Sequence, residues 1–116
     1  MVKKILVVDD SMEDMDKIRV MLSDEECEIF SVDNGADAID LAGEEEIDLV
    51  LLDIKMPTLS GYDLARLLRE RYDGSFKIIY SSIIPQKEAN MESVDGFIQK
   101  PFSKETLIHQ IKGALE

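Results

Sequence analysis

Residues 47–61 read Ile-Asp-Leu-Val-Leu-Leu-Asp-Ile-Lys-Met-Pro-Thr-Leu-Ser-Gly, and the predicted fold is organised around this stretch. Its aliphatic run, 49–52, is continuous, which is typical of a strand buried on both faces. The run ends at Asp53, and Pro57 and Gly61 then mark a loop. A carboxylate at the end of a buried strand is costly unless other groups pair with it. We therefore expect Asp53 to have a functional role.

The composition is that of a globular domain, with 116 residues, 45% hydrophobic and 33% charged, which predicts a single domain over 1–116. A net charge of −12 argues against direct nucleic-acid binding, because contacts to the phosphate backbone need clustered Lys and Arg. The apolar runs are too short for a membrane span or a secretory signal. The lone Cys27 fits a reducing compartment, so we expect a cytoplasmic location.

Buried strands alternate with amphipathic helices along the chain. Strands are predicted at 4–9, 27–32, 48–53, 76–81 and 94–99. Helices are predicted at 12–23, near 38–42 with an end at Gly43, at 61–72, and after Ser103. Residues 83–94 contain Pro85 and little apolar periodicity, so the fourth of five helices is predicted to be short or irregular. This alternation predicts an α/β fold with helices on both faces of a parallel sheet.

Acidic side chains end two of these strands. In a doubly wound sheet of order 2-1-3-4-5, ligands bind between the carboxyl ends of the first and third strands. Asp9 and Asp10 end the first strand and Asp53 ends the third, so all three carboxylates fall on that crevice. Two such charges about 4 Å apart repel by about 4 kcal/mol at an effective dielectric near 20. A divalent cation with oxygen ligands, characteristically Mg²⁺, would offset this repulsion.

Other polar residues are expected at the same edge of the sheet. Lys100 comes just after the fifth strand, and Ser81 and Ser82 end the fourth. Metal, carboxylates, ammonium and hydroxyl together suit phosphoryl transfer, in which a carboxylate can itself be the nucleophile. His109 is expected on the surface of the last helix, away from the crevice. A flavin carrier on the same fold class would need a phosphate loop after the first strand, where Asp9 and Asp10 would repel the phosphate.

Four motifs, taken together, resemble the receiver domain of two-component response regulators. They are Asp9-Asp10, Asp53-Ile-Lys-Met-Pro-Thr-Leu-Ser-Gly61, Ser81-Ser82 and Phe97-Ile-Gln-Lys100-Pro101-Phe102. The resemblance covers the full length, with the elements in matching order. It implies a flavodoxin-like, doubly wound, five-stranded sheet. It also implies a phosphoacceptor that serves a histidine kinase or phosphotransfer protein, rather than an enzyme with other substrates.

The resemblance also implies roles for individual residues. Asp53 would accept the phosphoryl group. Asp9 and Asp10 would hold Mg²⁺ or Mn²⁺ together with Asp53 and the backbone carbonyl of Lys55. Lys100, joined to Pro101 by a cis peptide bond, would pair with the phosphoryl oxygens.

Two further residues would then transmit the change. Phe97 would be the aromatic residue whose rotamer follows phosphorylation. The switch hydroxyl would be Ser81, which is followed by the small Ser82; Ser82 is the alternative, although Ile83 after it would crowd the phosphate.

The segment before the fifth strand departs from the family pattern. It is about one helical turn shorter, so we expect the fourth helix to be mobile or partly unwound. In the family this helix, the fifth strand and the last helix form the output face, on which downstream proteins bind and dimers form. The alternative function is a small metal-dependent phosphohydrolase with an aspartate nucleophile, although no cap domain or substrate pocket is visible.

Overall fold

The computed structural model describes residues 2–116, so Met1, with which the predicted domain begins, lies outside the described residues. Within that range, strands and helices alternate along the chain. The strands are β1 (Lys3–Val8), β2 (Cys27–Val32), β3 (Leu49–Asp53), β4 (Lys77–Ser82) and β5 (Gly96–Gln99). The helices are α1 (Met12–Met21), α2 (Gly35–Glu44), α3 (Gly61–Arg71) and α4 (Lys104–Leu115).

The strands form one parallel sheet in the order β2-β1-β3-β4-β5, which confirms the predicted doubly wound α/β fold. In the register of β1, Val8 pairs with Val32 of β2 on one side and with Leu52 of β3 on the other. The chain runs from β1 to β2 and then returns across β1 to β3, so the strand order reverses between β1 and β3. The carboxyl ends of these two strands therefore flank the crevice in which this fold binds ligands.

Each face of the sheet has its own hydrophobic core, because successive strand residues point to opposite faces. On one face Leu52 and Tyr80 pack with side chains of α2 and α3. On the other face Leu51 and Ile79 pack with side chains of α1 and α4. All residues of β3 are buried, since helices cover both of its faces. This double cover explains why the 49–52 run is aliphatic without alternation.

Every one of these four helices begins with a capping side chain. The capping residues are Ser11, Asn34, Ser60 and Ser103. In each case the side-chain oxygen accepts a hydrogen bond from the backbone N–H three residues further on. Such caps satisfy donors that the first helical turn leaves unpaired. They fix the helix starts directly after the strand-end loops, where the candidate site lies.

The sequence predicts that Gly43 ends the second helix, but α2 continues through it to Glu44. Gly43 instead leaves space for packing: a Cβ there would lie 2.4 Å from the hydroxyl oxygen of Tyr72, so the tyrosine would have to shift. That hydroxyl donates a hydrogen bond to the Ile39 carbonyl at 2.9 Å. The glycine thus makes room for a tyrosine that joins α2 to the end of α3. The predicted strand boundaries agree with the observed ones within two residues.

The connection between β4 and β5 contains only a single 3₁₀ turn, Gln86–Glu88. This confirms the prediction that the fourth helix of the family pattern is short or irregular here. The connection still covers the core, because its apolar side chains pack against the α2 and α3 face. These side chains are Ile84, Ala89, Met91 and Val94.

Arg69 of α3 attaches this connection to the rest of the domain. Its Nε donates to the Ser93 carbonyl at 2.9 Å and its Nη1 donates to the Phe76 carbonyl at 2.7 Å. Its Nη2 pairs with the Asp95 carboxylate at 2.5 Å. The same Asp95 oxygen accepts from the Ile78 N–H at 2.9 Å. One guanidinium therefore joins α3, the start of β4 and the entry to β5.

Within residues 2–116, no helix combines the length and the apolar character that crossing a membrane would need.

Candidate phosphorylation and metal site

The predicted acids meet at the crevice between β1 and β3. Asp53 is the last residue of β3, and Asp9 directly follows β1. Both are buried, whereas Asp10 is exposed. One carboxylate oxygen from each of the three residues lies within 4.8 Å of the other two. The structure thus brings together the three acids that the sequence singles out.

The loop after β3 turns back sharply beside Asp53, and a glycine makes this possible. The Gly61 N–H donates to the Ile54 carbonyl at 2.7 Å. A Cβ on Gly61 would lie 2.3 Å from the Asp53 carbonyl oxygen, so a larger residue would push the loop away. Thr58 in the same loop has a φ of 71°, which a β-branched residue rarely adopts. The loop that follows Asp53 is therefore held in a strained backbone conformation, which its sequence does not predict.

Lys100 reaches into the same crevice from the end of β5. Its ammonium lies 2.8 Å from Asp9 Oδ2 and 3.7 Å from Asp53 Oδ1. The side chain is only 13% exposed, so these ion pairs are largely shielded from water. Burial acts to lower the pKa of Lys100, but its hydrogen bonds to Asp9 and Asp14 outweigh burial and raise the pKa. The Lys100–Pro101 peptide bond is cis, as expected.

Asp14 is a further residue of the site, and the sequence motifs do not predict it. It lies in the first turn of α1, and its Oδ2 accepts a hydrogen bond from the Lys100 ammonium at 3.0 Å. The two residues are far apart in the chain, and Asp14 has several acidic neighbours. No local signal in the sequence distinguishes it from them.

The pKa of Asp53 is raised from 3.8 to about 6. Burial is the largest cause, because it removes solvent from the charged form. Lys100 opposes this shift, whereas the negative charges of Asp9 and Asp10 add to it. A neighbouring cation therefore stabilises the charged form of this carboxylate more than it would stabilise that of a solvated one.

The two candidate switch serines differ in their hydrogen bonding. Ser81 pairs with Asp53 in the β3–β4 register, and its buried hydroxyl has no hydrogen-bond partner within residues 2–116. Ser82 is also buried, but its hydroxyl accepts a hydrogen bond from the Ile84 N–H at 3.1 Å. Accepting this bond leaves the Ser82 hydroxyl hydrogen able to donate, so the two serines differ in that Ser81 alone has no partner of either kind among residues 2–116. A buried hydroxyl without a partner is unusual, and this one belongs to the serine paired with Asp53.

The other residues that the sequence singles out lie in β5, in the loop after β3 and on α4. Phe97 is buried in β5, directly beside Tyr80 of β4 in the sheet register. Lys55 lies in the loop after β3 with an exposed side chain, and its carbonyl stays a predicted metal ligand. His109 is exposed on α4, as expected.

The residues at the crevice fit a divalent cation. Three carboxylates converge there, and oxygen is the ligand that Mg²⁺ and Mn²⁺ prefer. Lys100 offsets only part of the negative charge, since it faces Asp9, Asp14 and Asp53 at once. The donor set therefore points to divalent metal binding.

Known proteins resemble this chain over nearly its whole length. Residues 5–112 match the family described as the response regulator receiver domain. Response regulator TrrA from Thermotoga maritima, solved in complex with Mg²⁺ and BeF, has a TM-score of 0.90 and 30% identity over 98% of this chain and 100% of that one. The complex of histidine kinase ThkA with TrrA matches with a TM-score of 0.90 and 30% identity, over 99% of this chain and 100% of that one.

A chemotaxis protein shows the same fold. CheY4 from Vibrio cholerae has a TM-score of 0.90 and 25% identity over 99% of this chain and 100% of that one. The chain thus combines a β2-β1-β3-β4-β5 sheet, with acids at its β1–β3 crevice, with a match to the receiver domain family.

Proposed function

Because this chain belongs to the response regulator receiver domain family, we propose that Asp53 accepts a phosphoryl group from a phosphohistidine and thereby switches partner binding. Membership makes the chain the receiver domain of a two-component response regulator, which is a signalling family rather than an enzyme family. One observation carries the proposal. Asp53 is a buried carboxylate that lies between two further acids and an ammonium, at the crevice between β1 and β3.

In the proposed step, an Asp53 oxygen attacks phosphorus while the phosphorus–nitrogen bond of the phosphohistidine breaks. The electron pair of that bond goes to the histidine ring, and an acyl phosphate forms on Asp53. The Lys100 ammonium neutralises charge on the transferred oxygens, because it already lies 3.7 Å from Asp53. The Ser81 hydroxyl, free within the described residues, then donates to a phosphoryl oxygen.

Asp9, Asp10 and Asp53 would hold Mg²⁺ or Mn²⁺, with the Lys55 carbonyl as a further ligand. Such an ion supplies positive charge that stabilises the oxygens of the transferred group. TrrA, which is 30% identical, was solved with Mg²⁺ and BeF, and this supports the same ligand chemistry here. The protein residues contribute position: the ends of β1 and β3 fix two of the carboxylates before any ion binds.

In the proposed phosphorylation, the single negative charge of the Asp53 carboxylate is replaced by a charge of about −1.5 to −2 on the phosphoryl group, so the crevice becomes more negative by up to about one charge. Lys100 and Ser81 would move toward this group, and Phe97, buried in β5, would follow. The output would leave through the β4–β5 connection, β5 and α4, on which a downstream protein or a second copy would bind. The TrrA–ThkA complex supports a histidine kinase as the upstream partner. We take residues 1–116 as one such domain, acting in the cytoplasm without direct nucleic-acid contact.

The direct test is labelling of the purified chain with acetyl phosphate. In the presence of Mg²⁺ we expect one phosphoryl group per chain, measured by intact-protein mass spectrometry. Asp53→Asn should abolish labelling, while Asp73→Asn, which removes an exposed acid far from the crevice, should not. Steady-state hydrolysis of p-nitrophenyl phosphate without a stable labelled form would contradict the proposal and favour the phosphohydrolase alternative.

A comparison of two variants tests which serine supplies the switch hydroxyl. Ser81→Ala should weaken the conformational change that phosphorylation causes, measured by backbone amide chemical shifts around Phe97. Ser82→Ala should leave that change in place, since the Ser82 hydroxyl is bound to the Ile84 N–H. The reverse pattern would assign the switch hydroxyl to Ser82.

A further inference from the structure

The Lys100 ammonium is shared by three carboxylates, and one of them has no role in the proposed chemistry. Lys100 bonds to Asp9 at 2.8 Å and to Asp14 at 3.0 Å, whereas Asp53 lies 3.7 Å away. Asp9 and Asp53 belong to the candidate metal cluster, but Asp14 does not. Asp14 therefore needs a separate explanation.

Both carboxylate oxygens of Asp9, the closest partner of Lys100, already accept hydrogen bonds. Its Oδ1 accepts a hydrogen bond from the Ser11 N–H at 2.9 Å, and its Oδ2 accepts from Lys100. A divalent cation bound by Asp9 would draw on the same carboxylate, and it would also repel the nearby ammonium. The bond that holds Lys100 most tightly in the structure is thus the one that metal binding weakens.

Asp14 is placed so that it keeps its bond to Lys100. Its backbone N–H donates to the Ser11 hydroxyl at 3.2 Å, so the helix cap fixes the residue at the start of α1. Its carboxylate is half-buried, and it lies outside the cluster formed by the other three acids. An ion held by that cluster therefore leaves the Asp14 oxygens with Lys100.

We propose that Asp14 is a positioning residue, which holds the Lys100 ammonium beside Asp53 when a divalent cation occupies the Asp9 carboxylate. The inference rests on the proposed function, because it assigns to Asp14 the placement of the cation that receives the phosphoryl oxygens. A lysine side chain has a flexible four-carbon stem and loses its position readily without a fixed partner. Without Asp14, metal binding would release Lys100 toward solvent at the moment when phosphoryl transfer requires it.

The first test measures the position of Lys100 and does not depend on phosphorylation. The rate at which an acetylating reagent modifies the Lys100 amine is followed by peptide mass spectrometry, with and without Mg²⁺. Wild type should be protected under both conditions. Asp14→Asn should be protected without Mg²⁺, where Asp9 still binds Lys100, and should react several-fold faster with Mg²⁺. Equal protection of Asp14→Asn in Mg²⁺ would overturn the proposal.

The matched control is Asp16→Asn. This variant removes the same charge from the same helix, but Asp16 is exposed and is not among the acids that contact Lys100. Its Lys100 reactivity should equal that of wild type, with and without Mg²⁺. A general effect of helix charge would instead move both variants alike, which would contradict a specific role of Asp14.

The second test measures the consequence for the reaction. At saturating acetyl phosphate and Mg²⁺, Asp14→Asn should slow Asp53 phosphorylation by about 3- to 10-fold, the size expected for loosening one charge-assisted hydrogen bond. Asp14→Glu, which keeps the carboxylate, should recover part of the rate. An unchanged or faster rate in Asp14→Asn would overturn the positioning role. Absence of labelling in wild type would overturn the proposed function, while the Lys100 reactivity test would still decide the role of Asp14.

Discussion

Asp53 is held where its charged form is poorly stabilised, and this has a consequence for the stability of the protein. Its pKa is raised to about 6, mainly by burial, with Lys100 opposing and Asp9 and Asp10 adding. Because the folded-state pKa lies above the unfolded value of 3.8, the folded protein binds more protons at intermediate pH. The contribution of Asp53 to stability is therefore complete below about pH 4 and is lost as the pH rises through about 6.

This linkage predicts that a neutral residue at position 53 stabilises the metal-free protein. At pH 7 in chelator, Asp53→Asn should raise the free energy of unfolding by on the order of 2 kcal/mol, measured by urea denaturation. The gain should shrink as the pH falls through about 6 and vanish below about pH 4, because the wild-type carboxyl is then protonated in both states. Asp73→Asn, at an exposed position, is the control and should show no such dependence. A gain that persists at pH 4 would contradict this account.

At the residue scale, the sequence predicts which side chains meet at the crevice when those side chains stand at the ends of strands. Asp9, Asp53 and Lys100 stand at strand ends, and parallel strands bring their carboxyl ends to one edge. Asp14 could not be predicted, since it is one of several acids in the first part of α1 and only packing brings it to Lys100. The positive φ of Thr58 was also hidden, because the sequence places at that loop position a residue type that usually avoids it.

At the scale of elements, the β4–β5 connection shows how a missing helix is replaced. The absence of apolar periodicity predicted an irregular segment, and only the turn Gln86–Glu88 forms. What holds the segment could not be foreseen, because an arginine near the end of α3 is normally interpreted as a solvated charge. Arg69 instead bonds to two carbonyls and to Asp95, which ties the connection to α3. These Arg69 bonds lie beside β5, through which the proposed output signal would pass.

Arg69→Lys keeps the positive charge, but it should still loosen the β4–β5 connection. An ammonium cannot reproduce the three directed bonds of the guanidinium, so we expect a loss of about 2 kcal/mol in the free energy of unfolding. Hydrogen–deuterium exchange should rise across 86–95 and remain unchanged in β1 and β3. Arg71→Lys, on the exposed side of the same helix, is the matched control and should change neither quantity. Exchange across 86–95 that does not rise in Arg69→Lys would contradict this account.

At the scale of the whole molecule, two kinds of electrostatic repulsion oppose folding. The net charge of −12 is spread over the surface and acts through solvent, where salt screens it over about 8–10 Å. The second kind is local, because Asp9, Asp10 and Asp53 converge within 4.8 Å. Monovalent salt weakens the first kind, whereas a bound divalent ion removes the second. Stability measurements can therefore separate the site from the rest of the surface.

We expect Mg²⁺ to raise the midpoint of urea denaturation more than NaCl does at equal ionic strength. An ion that binds only the folded protein adds about 2.7 kcal/mol at a concentration 100-fold above its dissociation constant. Asp10→Asn should lose this Mg²⁺-specific increment and keep the response to NaCl, because Asp10 is an exposed member of the cluster that does not contact Lys100. Glu46→Gln removes one charge from an exposed position outside the cluster and should keep both responses. If Mg²⁺ and NaCl act alike on wild type, the carboxylates at the β1–β3 crevice do not bind the metal, and the stabilisation by Mg²⁺ is screening of the net charge alone.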